Sequence, residues 1–445
     1  MKVELKKEHQ CVKIIEELDN LIKESLSLFD DFQTFKISGA NVQKTQYYET
    51  ILLFHLFQKT NFEKVFENTR ISFGDVKHGW GTIIINILFQ LGESKKDPNF
   101  NNFLSVLNDR VSELEKRSIK EFSYYIPSRL NFDKLTKKEI EKLKASIKSA
   151  LDISIEHPDK VINNQIKNKK FLNLILNRKI ILRVNAKGRD SIYTNSVITL
   201  KTSALAGAIT LAKNLGTFPE KWGIRGDLSL ANDPFDDYFI IVENQKIVYP
   251  NIDWQSYDYR ISNRDISGIK KEIINRGDYQ NIIFILNAIS KQHNKLKKLS
   301  KESLKLYFEA MTEKNLEISF LKFWVLIEKI LKQGGKITDK SLIKMIKYII
   351  IKQKHLEPVV DSLYKKRNDL VHEFKTDYIS QFDRNLTKVI AESNILLLLN
   401  PPIKINNIEE FKILLSNISC SKELLVTKER LVEDILKFRN KTTRS

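Results

Sequence analysis

The sequence is poor in cysteine and lacks long apolar runs, and each absence excludes a class of protein. The only two cysteines, Cys11 and Cys420, lie near opposite ends of the chain and belong to no motif. A disulfide framework and a cysteine-type zinc site are therefore not expected, which suits a reducing cytoplasm. No apolar run approaches the roughly 18 residues of a membrane span, and the opening MKVELKKEHQ lacks the apolar core of a signal peptide. We expect a soluble, cytoplasmic protein with no membrane partner.

Motifs for metals, cofactors and metal-dependent nucleases are missing or weak. No His, Cys and carboxylate cluster has metal-ligand spacing, and GDVKHGWG and GIRGD lack the pattern of a phosphate-binding loop. In DPFDDYFIIVENQK, Glu243 and Lys246 are three residues apart, which would place them on opposite faces of a strand, whereas a restriction-type nuclease needs both on one face. A turn at residues 244–245 explains this stretch better. We expect no metal and no cofactor.

Positive charge, by contrast, is abundant. Lys and Arg number 74 against 55 Asp and Glu, which gives a formal net charge of +19. Such a surplus favours a polyanionic partner, with RNA or DNA ahead of a membrane surface. A lysine-rich bias of the whole proteome explains the same excess, because lysine is scattered along the entire chain.

The length and the apolar periodicity predict a multidomain α+β protein that is mainly helical. A chain of 445 residues with 42% hydrophobic content is expected to fold into two or three domains. Residues 1–162 form a predicted helical region, because CVKIIEELDNLIKESLSLFDDF and EIEKLKASIKSALDISIE both show helical spacing. Within it, residues 122–126 are expected to be extended. Residues 266–445 again carry long helical patterns, one of which is YQNIIFILNAISKQHNKLKKLS, and two short helices are expected after Pro401 and Pro402.

Between these regions, residues 163–265 are predicted to form a small α+β module. KIILRVNA and SIYTNSVITL are rich in β-branched residues around a KGRD turn, which indicates a β-hairpin. TSALAGAITLAKNLG then predicts a helix with Thr202 or Ser203 as its N-cap. DYFIIVENQKIVYP predicts a second hairpin.

One predicted helix, LEPVVDSLYKKRNDLVHEF, has an arginine where its pattern requires an apolar residue. The apolar positions at helical spacing are Leu356, Val359, Val360, Leu363, Tyr364, Leu370, Val371 and Phe374. Arg367 occupies the missing position of this stripe, near its centre. Burying a guanidinium is costly unless a partner satisfies it. Glu328, at the edge of the apolar stripe of FLKFWVLIEKIL, is the predicted partner, and a structural ion pair alone would explain the arginine.

Two more polar residues, Asn368 and His372, follow on the same segment. Asn368 precedes His372 by four residues and therefore shares its helix face. His372 lies about 140° around an ideal helix from Arg367, so the two side chains diverge on a straight helix. They can act on one atom only if the helix end is distorted, if a second subunit brings its own copy, or both.

The stretch RNDLVH resembles the Arg-Asn-x3-His form of the motif of HEPN-family ribonucleases. The aromatic SFLKFWVLIEKIL before it and the apolar ISQFDRNLTKVIAESNILLLL after it make residues 280–400 similar to the Apea-like branch of that superfamily. The resemblance implies a HEPN-like helical bundle and a metal-independent endoribonuclease in which two subunits each supply half a site. It implies that His372 is the general base or acid, that Arg367 stabilises charge on the scissile phosphate, and that Asn368 orients the phosphate or the histidine.

The resemblance also implies a biological role and partners. It is typical of anti-phage, abortive-infection or toxin effectors that form a homodimer through the C-terminal helical domain, with the preceding region sensing a phage-derived or nucleotide trigger. The alternative is a non-catalytic helical bundle that dimerises or binds RNA or protein. Lysines expected to contact RNA are Lys291, Lys295, Lys297, Lys298, Lys365 and Lys366, and Lys301 belongs to the same KQHNKLKKLSK run. Such runs are more often solvated helix faces than binding sites.

Overall fold

A computed structural model describes most of the chain from residue 97 onward. The described residues are 97, 99–156, 180–189, 191–215, 234–235, 240–243, 246–248, 272–335, 338–350, 357–373 and 379–442, with Glu16, Asp19, Asn20 and Lys23. They are mostly helical and include a small β-sheet component, which confirms the coarse prediction of a mainly helical α+β chain. None of the described helices combines the length and the apolar character needed to cross a membrane.

The helices are named in chain order. They are α1 (Phe100–Lys116), α2 (Lys137–Leu151), α3 (Ser191–Asn214), α4 (Arg276–Lys291), α5 (Asn294–Thr312), α6 (Leu316–Leu331), α7 (Asp339–Ile349), α8 (Glu357–Glu373), α9 (Gln381–Leu399), α10 (Ile408–Asn417) and α11 (Lys422–Thr442). A short 3₁₀ turn, Lys332–Gly334, follows α6. Most of the helix predicted at residues 11–32 lies outside the described residues, and so do Leu356 and Phe374 of the predicted stripe.

The strands are β1 (Lys120–Ser128), β2 (Leu130–Asn131), β3 (Ile153–Glu156), β4 (Ile180–Gly188), β5 (Ile240–Glu243), β6 (Lys246–Val248) and β7 (Glu272–Ile273). The larger sheet has the order β3-β4-β1-β5-β6, and β2 pairs with β7 in parallel. Strand β1 contains the segment 122–126 that was expected to be extended. The hairpin predicted in DYFIIVENQKIVYP is confirmed, because β5 and β6 are antiparallel with Glu243 opposite Lys246.

The hairpin predicted between KIILRVNA and SIYTNSVITL is wrong. The first segment is strand β4, but its antiparallel partner is β3, with Ile153 opposite Val184. The second segment is the first half of helix α3, so Thr202 and Ser203 lie inside the helix and neither is its N-cap. The second half of α3 is almost fully buried, and this packing outweighs the preference of β-branched residues for strands.

Helix α2 shows how local sequence signals define an element. Thr136 accepts a hydrogen bond from the Glu139 backbone N–H, and the Glu139 carboxylate accepts one from the Thr136 backbone, so the two form a capping box. The helix ends at Asp152, which has a left-handed backbone with φ of 59°. Its buried face includes Leu143 and Ile147. Helical spacing predicted most of this element correctly, but the end of the pattern, Ile153–Glu156, is strand β3 and not helix.

Contacts between backbone segments divide the chain into two compact units. One comprises Met1–Ser123, Asn185–Ile198 and Ile240–Asn251, and the other comprises Tyr124–Val184, Thr199–Phe239 and Ile252–Ser445. Helices α4 to α11 therefore all belong to the second unit, together with α2. The domain boundaries at residues 162 and 265 stay a prediction.

The C-terminal helices pack around α6. This helix contacts α5 and α9, and its predicted apolar stripe is buried: Phe320, Phe323, Trp324, Ile327 and Leu331. The pattern YQNIIFILNAISKQHNKLKKLS, predicted as one helical stretch, is split into α4 and α5, because Gln292 is extended and caps α4. Of the two short helices expected at the C-terminus, α10 has 10 residues but α11 has 21.

Helix α9 is buried on nearly all sides and contains a charged core. The Lys388 ammonium lies 2.7 Å from the Glu392 carboxylate, and both side chains are almost fully buried. The Tyr307 hydroxyl on α5 also donates to this carboxylate, over 2.5 Å. Buried charges are tolerated when they are paired and hydrogen-bonded in this way.

Candidate functional site

Helix α8 presents the RNDLVH motif on a helix that is buried along one side. Val360, Leu363, Tyr364 and Leu370 are buried as the apolar stripe predicts. Val371, predicted to belong to the stripe, is 39% exposed. Among the side chains that the structure describes in the last turn of α8, burial is therefore limited to Leu370.

Arg367 forms the ion pair that its position in the stripe predicted. Its Nη2 donates to Oε1 of Glu328 on α6 over 2.9 Å, and the two side chains are 21% and 16% exposed. The other carboxylate oxygen of Glu328 accepts from Lys332 over 2.7 Å. Glu328 thus holds one cation from α8 and one from the turn that follows its own helix.

Asn368 orients the same guanidinium from the other side. Its Oδ1 accepts a hydrogen bond of 3.0 Å from Nη1 of Arg367. Because Nη1 and Nη2 are both fixed, the plane of the guanidinium is set by two partners. Among the described residues the other N–H groups of Arg367 have no partner, and they can bind a phosphate or carboxylate oxygen.

Two residues that sequence reasoning missed extend this polar cluster. Burial and a hydrogen bond with Asp339, on the first turn of α7, raise the pKa of the Tyr364 hydroxyl, while Asn368 and Arg367 oppose the shift. The Tyr364 ring is held edge-on against Trp324, with ring centroids 5.7 Å apart. The spacing of Tyr364 indicated an apolar role only, and no pattern in the sequence linked it to Asp339.

His372 lies on the same helix as Arg367 but on a different face. Helix α8 continues to Glu373, so the five-residue separation turns His372 about 140° away from Arg367. Asn368, one turn earlier, shares the face of His372. Helix α8 therefore includes His372 and ends one residue after it.

The lysines predicted to contact RNA fall into different environments. Lys291, Lys295, Lys298 and Lys365 are exposed. Lys366 donates to Asp383 over 2.7 Å and ties α8 to the start of α9. Lys297 donates to the backbone oxygen of Ser149 over 3.0 Å. The run KQHNKLKKLSK therefore does not form one continuous basic face, because the break between α4 and α5 divides it.

Asp383 is a second anchor of α8. Although burial opposes the shift, hydrogen bonds from Lys366 and Ser380 lower the pKa of the Asp383 carboxyl below its ordinary value. Asp383 also forms the capping box of α9 with Ser380. Helix α8 is consequently held at Arg367 by α6 and at Lys366 by α9.

No relative of this chain was found. Protein-family models, curated proteins and solved structures all lack a significant match to it. Among the described residues, no group of three or more His, Cys, Asp or Glu side chains has an arrangement that could hold a metal ion. The candidate site consists of the guanidinium of Arg367, held by Glu328 and Asn368, and of His372, one turn after Asn368 on α8.

Proposed function

We propose that the chain is a metal-independent endoribonuclease of the HEPN type. The proposal rests on the arrangement around Arg367. Glu328 and Asn368 hold its guanidinium in place by hydrogen bonds, and part of the side chain remains exposed. A guanidinium held by a carboxylate and an amide is oriented before a substrate arrives. Fixed donors of this kind stabilise the charge that develops on a phosphate in the transition state.

In the proposed reaction His372 transfers protons. One imidazole removes the proton of the RNA 2′-hydroxyl, and the oxygen attacks the adjacent phosphorus. The bond to the 5′-oxygen breaks, and a second imidazole in its protonated form donates a proton to that leaving oxygen. The products are a 2′,3′-cyclic phosphate and a free 5′-hydroxyl. DNA is not cleaved, because it lacks the attacking hydroxyl.

The proposed enzyme is a homodimer formed through the C-terminal helical domain. The different faces of Arg367 and His372 on α8 support this, since the arginine of one copy can then face the histidine of another. Exposed apolar side chains on α11 supply a surface for association: Leu424, Leu425, Val426, Leu431, Val432 and Ile435. Several of them recur at helical spacing on one side, as in helices that pair with another helix.

The proposal extends to domain organisation and biological role. In this proposal helices α4 to α9 form the HEPN-like bundle. Residues 163–265 form an α+β module whose sheet also contains β1 and β3 of the mainly helical region 1–162, and residues 1–162 sense a phage-derived or nucleotide trigger. Such a protein acts in the cytoplasm as an anti-phage or abortive-infection effector or toxin. This role is supported by the order of the helices along the chain, with an aromatic helix before the RNDLVH helix and a long apolar helix after it.

One observation favours a second function. The ion pair between Arg367 and Glu328 explains why an arginine is tolerated in the stripe without any chemistry. In that case the bundle is non-catalytic, and it dimerises or binds RNA or protein.

A cleavage assay with matched histidine variants tests the proposal. Purified protein is incubated with total RNA in a metal chelator, with and without a lysate of phage-infected cells as the trigger, and the RNA ends are analysed. We expect cyclic phosphate ends with the wild type and none with His372→Ala. The control is His293→Ala, because His293 is an exposed N-cap without a side-chain capping hydrogen bond.

The assay separates the two functions. Cleavage that persists in His372→Ala, or requires a divalent metal, contradicts the proposed mechanism. Intact RNA under every condition favours the non-catalytic bundle.

A further inference from the structure

Four lysines from three helices converge on the carboxyl end of α2. The Lys148 ammonium lies 2.6 Å from Oδ1 of Asp152, and the Lys201 ammonium of α3 lies 3.0 Å from Oδ2. Lys297 of α5 donates to the backbone oxygen of Ser149 over 3.0 Å. The fourth, Lys301, is one turn after Lys297 and faces the same side of α5.

The close crossing of α3 and α5 brings these lysines together. A Cβ atom on Gly207 of α3 would overlap the backbone carbonyl of Leu304 on α5, so the two helices touch backbone to backbone at this point. Lys201 precedes Gly207 on α3, and Lys301 precedes Leu304 on α5 by three residues. The lysines are therefore adjacent although a hundred residues separate them in the chain.

Lys301 is the unusual member of the cluster. It is half-buried, and none of the described carboxylates lies within ion-pair distance of it. Burial, together with the neighbouring ammonium groups of Lys297 and Lys201, lowers its pKa to about 8, while Asp152 opposes the shift. An ammonium group in this setting destabilises its surroundings unless an anion joins it.

A structural role accounts for only part of this positive charge. Cations stabilise the carboxyl end of a helix, which carries a partial negative charge of roughly one half. Lys297 already fills this role at Ser149, and Asp152 balances one further ammonium group. Lys301 lies within this cluster and has no ion-pair partner among the described residues.

We propose that Lys148, Lys201, Lys297 and Lys301 form a binding site for phosphate groups, carried by an RNA strand or by a free nucleotide. The site is open to solvent at Lys148 and Asp152, whose side chains are 50% and 54% exposed, and closed at Lys201, which is 14% exposed. A phosphate entering from the open side meets several ammonium groups that are already close together. The proposal uses no residue of the RNDLVH motif and does not depend on RNA cleavage.

Binding experiments with charge-removing variants test this site. Methionine keeps much of the length of lysine without its charge, so Lys301→Met and Lys148→Met are compared with the wild type in the His372→Ala background, which keeps RNA intact. Lys344→Met is the matched control, because Lys344 is exposed on α7 and lies outside both the cluster and the basic run KQHNKLKKLSK. The probes are inorganic tripolyphosphate and a fluorescent single-stranded RNA of twelve nucleotides.

We expect Lys301→Met to weaken tripolyphosphate binding about tenfold, as the loss of one charged hydrogen bond implies, and Lys344→Met to change it little. RNA that competes with tripolyphosphate identifies a strand as the source of the phosphate, whereas tripolyphosphate binding without competition identifies a free nucleotide. Equal affinities of wild type and Lys301→Met for both probes overturn the proposal, as does an equal loss in the Lys344 control.

A second measurement keeps the test independent of folding. Bound tripolyphosphate should raise the pKa of Lys301 towards its ordinary value. NMR of the reductively methylated protein measures this pKa. The charged groups that surround Lys301 are Lys148, Lys201, Lys297 and Asp152. Lys301→Met should leave the urea midpoint unchanged or raise it, because it removes repulsion. A pKa that does not respond to tripolyphosphate, or a clearly lower midpoint, contradicts a binding role.

Discussion

Arg367 on α8 and Glu328 on α6 form an ion pair of 2.9 Å that joins the two helices. The pair secures α8 against α6 and at the same time fixes the guanidinium that we propose to bind the scissile phosphate. Stability and activity therefore depend on the same contact, and variants must separate them.

Glu328→Gln should destabilise the protein by about 1–2 kcal/mol. The change removes the negative charge but keeps the shape, and it leaves Arg367 and Lys332 without their carboxylate. The loss is smaller than for a fully buried pair because both side chains are partly exposed. Urea denaturation measures it, with the exposed Glu433→Gln on α11 as control. An unchanged midpoint in Glu328→Gln would show that the pair adds nothing to stability.

Arg367→Lys should separate catalysis from stability. Lysine keeps a positive charge near Glu328. It lacks the planar guanidinium, whose two amino groups donate to Glu328 and Asn368 at the same time. We expect RNA cleavage to fall about 100-fold, while the urea midpoint falls less than in Arg367→Ala. Cleavage at the wild-type rate in Arg367→Lys would rule out a specific role of the guanidinium.

Gly207→Ala should destabilise the crossing of α3 and α5 by about 3 kcal/mol, because the new methyl group overlaps the backbone of Leu304. Gly277→Ala near the start of α4 is the matched control. There the nearest atom, Oδ1 of Asn275, lies at an ordinary 3.4 Å, and alanine should stabilise the helix by about 0.5 kcal/mol. Thermal unfolding measures both changes. Equal unfolding temperatures for the two variants would contradict the close crossing.

Asp383 should make stability dependent on acid pH. Lys366 and Ser380 lower the pKa of the Asp383 carboxyl in the folded protein. The ionised carboxylate therefore adds to the free energy of unfolding in full above the unfolded-state pKa of about 3.9. This stabilisation is lost as the pH falls through the pKa of the folded state. Asp383→Asn should therefore be less stable than the wild type near neutral pH, and the difference should shrink in acid. Urea titrations from pH 2 to 7 measure this, with the exposed Asp361→Asn as control. A difference that is constant over the whole range would contradict it.

Sequence periodicity predicted the candidate site better than its surroundings. The apolar stripes of α6 and α8 identified both Arg367 and its partner Glu328, because an interrupted stripe is visible in a single helix. Asp339 was missed because it lies at the start of α7 and reaches Tyr364 only through packing. Val371 was misplaced because periodicity describes a whole helix and does not show where its packing partners stop.

The sequence by itself determined most of the helical elements and the anomalous arginine, since these follow from interactions within a few residues. Only the tertiary structure decided that SIYTNSVITL is helical, that Lys366 pairs with Asp383, and that Lys201 lies beside Lys301. These features depend on which helices pack together and how closely. Burial can then outweigh a local preference, and lysines distant in sequence can share one charged environment.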